Sequence, residues 1–123
     1  MPDILIVEDH PIMRPALRDL LALEGHTVLT AVDGRDALRQ LECAQVDLII
    51  TDFMMAEMDG LCLLKALRAD GQFKHTPILM FTATATPDVR EQAMSAGADD
   101  FLLRPITAQD LLLAVQRLLS RHS

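Results

Sequence analysis

Acidic, hydroxyl and basic side chains recur just past short apolar runs in this sequence. Glu8-Asp9 follows Ile4-Leu5-Ile6-Val7, Asp52 follows Leu48-Ile49-Ile50 and Thr51, Thr82 follows Ile78-Leu79-Met80-Phe81, and Arg104-Pro105 follows Phe101-Leu102-Leu103. Carboxylates brought together repel one another, and a hard divalent ion with oxygen ligands, Mg²⁺ above all, is the simplest resolution. A metal, a carboxylate, a hydroxyl and a cation on one rim make a site for a phosphoryl group, whose transfer is catalysed mainly by positioning and charge neutralisation. Taken singly, Asp9 could cap a helix, Asp52 end a strand, Thr82 fill a strand end and Arg104 sit at the surface. The joint pattern carries the inference.

These residues need elements to hold them. The apolar runs, together with Val28-Leu29-Thr30-Ala31-Val32, are too short for helices and continuous enough for strands buried on both faces. Between them lie segments with helical spacing, such as Met13, Leu17, Leu20 and Leu21 in the first and Leu111, Val115, Leu118 and Leu119 in the last. Leu113 projects nearly opposite the last stripe. Asp9, Asp33, Asp59, Thr86 and Thr107 stand where helices open, and Gly97 stands where one closes. Strand and helix therefore alternate five times, at about 25 residues per unit. This predicts an α/β fold, a doubly wound five-stranded parallel sheet with five helices. In such a sheet ligands bind beyond the carboxyl ends of the strands, and in the flavodoxin-like order 2-1-3-4-5 the first and third strands are neighbours, so Glu8, Asp9 and Asp52 converge.

Composition narrows the class. The 123 residues match one domain, and with half of them hydrophobic the chain can bury a core. Eleven Lys and Arg against eighteen Asp and Glu leave a net charge of −7, with no basic run suited to direct nucleic-acid binding. No signal peptide opens the sequence and no apolar run approaches a membrane span, which predicts a cytoplasmic protein without membrane contact. Cys43 and Cys62 match neither a disulfide framework nor a metal-ligand spacing and are expected as small, partly buried residues in helical segments.

The chain resembles the receiver domain of two-component response regulators. The resemblance spans the whole sequence and rests on Ile4 to Asp9, on Asp52 followed by Met55, Met58, Asp59 and Gly60, on Phe81-Thr82-Ala83, on Ala96-Gly97-Ala98-Asp99-Asp100-Phe101, and on Arg104-Pro105. It implies that Asp52 is the phosphoacceptor, attacking a phosphohistidine on a sensor histidine kinase or phosphotransfer protein. It implies that Asp9 ligates Mg²⁺ directly, Glu8 through a water, and Met54 through its backbone carbonyl. Thr82 matches the hydroxyl that bonds the phosphoryl group, Arg104 the phosphate-binding cation, and Phe101 the aromatic switch that turns inward when Thr82 moves. Met54 and Thr84 match the two variable positions that tune hydrolysis of the phosphoaspartate.

By the same resemblance, the surface around the fourth helix, fifth strand and fifth helix docks a downstream target or output domain, or forms a homodimer. The protein is then a signalling phosphoacceptor, catalysing only its own phosphorylation and dephosphorylation. Residues 1–123 are expected to be a single receiver domain with no output domain, either standing alone or belonging to a longer chain.

Two positions depart from the family. Arg104 replaces the usual Lys, exchanging a compact point charge for a planar fork. Ala56 replaces the usual Pro, which predicts a more mobile loop. The alternative is a phosphorylation-independent receiver-like module that binds proteins. Haloacid-dehalogenase phosphatases place a second Asp two residues beyond the nucleophile, where this chain has Met54.

Overall fold

The computed structural model describes residues 3–53, 59–82, 87–103 and 105–121. Five strands, β1 (Asp3–Val7), β2 (Thr27–Ala31), β3 (Leu48–Asp52), β4 (Ile78–Thr82) and β5 (Asp100–Leu103), alternate with five helices. These are α1 (Met13–Leu23), α2 (Gly34–Leu41), α3 (Gly60–Ala69), α4 (Pro87–Ser95) and α5 (Ala108–Arg121). All strand pairings are parallel and the order is β2-β1-β3-β4-β5, as the alternation and the flavodoxin-like order predict.

Burial follows from that topology. Every residue of β3 and β4 is buried, because both strands are internal and covered on both faces. Edge strand β2 is only partly covered. The alternation of side chains splits the core into two apolar layers. Leu5, Val7, Ile49, Ile78 and Met80 pack on one side with α2, α3 and α4 residues, and Ile4, Ile6, Leu48, Ile50, Leu79 and Phe81 pack on the other with α1 and α5. Among the described residues no helix is long and apolar enough to cross a membrane.

Caps explain most helix starts. Asp33 accepts from the N–H of Asp36, Asp59 from that of Cys62, and Thr107 Oγ1 from that of Asp110. Gly97 ends the α4 segment at φ +113°, a left-handed conformation that favours glycine.

Three expectations change. Asp9 does not cap α1, which begins later, at Met13; the side-chain acceptor there is His10 Nδ1, bonded by the N–H groups of Ile12 and Met13. Met13, expected in the core stripe, is about a third exposed because it opens the helix beyond the sheet's cover, while Leu17 and Leu21 are buried. Cys43 and Cys62 are both exposed: α2 stops at Leu41, leaving Cys43 in the following turn, and Cys62 lies off the buried α3 stripe of Leu63, Leu64 and Leu67.

Candidate functional site

Register builds the site. Val7 pairs with Thr51 across β1 and β3, so the next residue on each, Glu8 and Asp52, reaches the carboxyl end of the sheet on the same rung and the same face. Asp9 follows at the start of the connection to α1. Carboxylate oxygens of Glu8, Asp9 and Asp52 lie within 4.8 Å of one another. Glu8 and Asp52 are buried and Asp9 is exposed, so two like charges are withdrawn from water while the third faces the entrance. Such a group is costly without a compensating cation.

The donor set fits a hard cation. It offers oxygen alone, and ligands on opposite sides of one Mg²⁺ stand roughly 4.2 Å apart, so the three carboxylates need little closing to share one ion. One Glu8 oxygen, Oε1, also accepts from the backbone N–H of His10 at 3.1 Å. The Glu8 carbonyl accepts from Arg14 Nη1 at 2.9 Å, and the Glu8 N–H donates to the Ala31 carbonyl at 3.0 Å. The strand end is thus held from α1 and from β2 together.

Thr82 ends β4, buried, one rung beyond the Asp52–Phe81 pair. Met80 pairs with Phe101, so Thr82, two residues on from Met80, projects to the face that carries Phe101. The Phe101 ring lies inward, 8% exposed, in the cluster with Met80, Ala93 and Ala98. Met54, Thr84, Arg104 and Ala56 lie outside the described residues.

Sequence reasoning gave His10 and Arg14 no role beside the cluster, and named Gly60 only as part of the motif that follows Asp52, not for its contact with it. His10 and Arg14 brace Glu8, and Gly60 presses against the backbone of Asp52. Their only signals in sequence are a His directly after two acids and a Gly directly after a capping Asp.

A parallel sheet of this order with an acidic cluster at its carboxyl edge defines a receiver domain of the flavodoxin-like CheY type. The profile of the response regulator receiver domain matches residues 4–116, and the chain belongs to that family, the receivers of two-component signalling. It is 40% identical to the chemotaxis protein CheY of Pseudomonas aeruginosa over 119 residues, 96% of either chain. Chemotaxis protein CheY4 of Vibrio cholerae superposes with a TM-score of 0.92 at 36% identity, covering 96% of this chain and 98% of that one. The receiver domain of sensor histidine kinase PA1611 from P. aeruginosa, solved with a magnesium ion coordinated in its active site cleft, superposes with a TM-score of 0.89 at 30% identity, covering 97% and 98%. Other relatives, sensor and hybrid histidine kinases and response regulators, are longer, and the chain spans from 8% to 50% of their length.

Proposed function

We propose that this receiver is a phosphoacceptor whose nucleophile is Asp52. The observation that carries the proposal is the meeting of Glu8, Asp9 and Asp52 within 4.8 Å at the carboxyl ends of β1 and β3. An Asp52 carboxylate oxygen attacks the phosphorus of a phosphohistidine on a sensor histidine kinase or phosphotransfer protein. The new O–P bond forms as the P–N bond breaks, and the imidazole leaves with the electron pair and takes up a proton. Relatives that are themselves histidine kinases support that choice of donor.

Glu8, Asp9 and Asp52, with the Met54 carbonyl, would hold Mg²⁺, which when bound neutralises charge on the phosphoryl oxygens. The magnesium-bound relative supports that assignment. Phosphorylation adds about −1.5 to −2 charges to a site already rich in carboxylates. Arg104 pairs with part of that charge and the Thr82 hydroxyl donates to a phosphoryl oxygen. Thr82 shares a face with Phe101, so its movement biases the packing of that ring and the surface formed by α4, β5 and α5, which docks the downstream partner. Met54 and Thr84 offer little to orient an attacking water, which favours a long-lived phosphoaspartate.

Incubation with acetyl phosphate or beryllofluoride and Mg²⁺, read by intact mass and by NMR, tests the proposal. An adduct in the wild type and none in Asp52→Asn is the expected result. Absence of an adduct and of Mg²⁺ binding would instead establish a phosphorylation-independent binding module. Arg104→Lys is expected to alter phosphorylation rate or partner affinity, and Met54→Asn to shorten the phosphoaspartate half-life.

A further inference from the structure

Arg14 stands in the first turn of α1, where the positive end of the helix dipole disfavours a cation. Helices α2, α4 and α5 place an acid in that turn, Asp36, Asp88 and Asp110, whereas α1 has none. In a folded chain a broken local rule points to a compensating gain elsewhere. For Arg14 that gain lies at the end of β1. Its Nη1 donates to the Glu8 carbonyl at 2.9 Å while its own N–H donates to the His10 carbonyl at 3.1 Å, so side chain and main chain together span the turn that leaves the strand.

The Glu8 carbonyl belongs to the peptide that joins Glu8 to Asp9. Because a peptide is planar, a bond that fixes this oxygen also fixes the Cα atoms on either side of it, from which the two carboxylates project. The Glu8 N–H is held separately, by the Ala31 carbonyl at 3.0 Å. Sheet and helix thus secure the two ends of one residue, and since Glu8 is only 1% exposed, water is a poor substitute for the guanidinium. That group is charged throughout the working pH range, so the bond does not switch with pH.

We infer that Arg14 is a positioning residue for the cation: by holding the Glu8–Asp9 peptide it presents both carboxylates where they can share one ion with Asp52. The inference rests on the assignment of Glu8, Asp9 and Asp52 as cation ligands and names a group outside that set which governs its affinity. Charge alone acts in the opposite sense. A fixed positive charge repels an incoming dication, so a residue that mattered only through its charge would, when removed, leave a tighter site. The sign of the change therefore separates the two.

The test compares wild type, Arg14→Ala and Arg14→Lys. Mn²⁺ binding is followed by loss of the free-ion EPR signal, and the ¹³C shift of the Glu8 carbonyl reports on the bond itself. Arg14→Ala should weaken Mn²⁺ binding by about tenfold, the usual scale for groups that orient metal ligands, and should move the Glu8 carbonyl shift. Arg14→Lys, which keeps the charge and one donor, should bind between Arg14→Ala and wild type. Unchanged or tighter Mn²⁺ binding in Arg14→Ala, no recovery in Arg14→Lys, or an unmoved Glu8 carbonyl shift in Arg14→Ala would each overturn the inference. None of these outcomes touches the phosphoacceptor proposal, which is read from the Asp52 adduct in the wild type. If Arg14→Ala does not fold, Arg14→Met, which keeps the apolar stem without a donor, takes its place with the same expectations. A wild type that takes up no Mn²⁺ would overturn the ligand assignment and this inference with it.

Discussion

Gly60 lies directly against the main chain of Asp52: a Cβ at residue 60 would stand 2.2 Å from the Asp52 carbonyl oxygen and 3.0 Å from the Phe53 Cα. The Gly60 N–H also donates to the Phe53 carbonyl at 2.9 Å, so α3 begins in contact with the peptide that carries the proposed nucleophile. The close approach involves backbone on both sides and cannot be relieved by a rotamer change.

Gly60→Ala should therefore displace the end of β3 despite the better helix propensity of Ala. A loss of about 2 kcal/mol in chemical denaturation is expected, on the scale of an overpacked core, together with slower acetyl-phosphate labelling of Asp52. Wild-type stability and labelling rate in this variant would contradict the proposed contact.

Arg68 near the end of α3 joins four segments. Its guanidinium donates to the carbonyls of Gly97, Phe73, Lys74 and Thr76, and pairs with Asp99 Oδ2 at 2.7 Å. The same Asp99 oxygen accepts from the N–H of Ile78 at the start of β4. Arg68→Ala leaves several partly buried carbonyls and a carboxylate short of a donor, and should cost about 2–4 kcal/mol. Arg68→Lys should recover little, since one ammonium cannot span a planar fork's partners. Urea midpoints of the two variants check this, and a wild-type midpoint in Arg68→Lys would refute the role of the fork.

Asp36 supplies a pH dependence. The Val32 N–H donates to its Oδ2 at 2.9 Å, and with Gln40 and Arg39 this outweighs partial burial to hold the carboxyl below its usual range. A lowered native pKa means the unfolded chain binds the proton more readily, so the stabilisation is complete above about pH 4 and is lost as pH falls through the native value. Asp36→Asn should lose about 1 kcal/mol at pH 7 and show a shallower loss of stability on acidification. Parallel acid profiles for the two proteins would rule this out.

Asp59 governs the chemistry of Cys62. The carboxylate caps α3 at the Cys62 N–H, 2.9 Å away, and its hydrogen bond and charge raise the exposed thiol's pKa. Because Asn caps about as well as Asp, Asp59→Asn should change stability by only a few tenths of a kcal/mol. Iodoacetamide should nevertheless alkylate Cys62 faster at pH 8, since more thiolate is present. An unchanged rate would mean that the carboxylate does not act on the thiol.

How much of this was legible beforehand depended on the range of the interaction. Alternating apolar runs marked five strands and five helices because burial on both faces leaves a signature in each strand by itself, and Glu8, Asp9, Asp52 and Thr82 stood out because each closes such a run. Caps at Asp33, Asp59 and Thr107 were equally local and equally readable.

The features that needed the folded chain are those set by register and by the exact start of a helix. Only the Val7–Thr51 pairing brings Glu8 level with Asp52, and the Met80–Phe101 pairing places Thr82 and Phe101 on one face. The start of α1 at Met13 rather than nearer Pro11 exposed Met13 and passed the cap from Asp9 to His10. Cys43 emerged at the surface because α2 ends before it, and Cys62 because it falls off the buried stripe of α3. Residue types along the chain determined which chemistry was available; parallel pairing between strands more than 40 residues apart, such as Ile4 with Leu48, decided which groups could perform it together, because a strand's own pattern records its burial and not its neighbour.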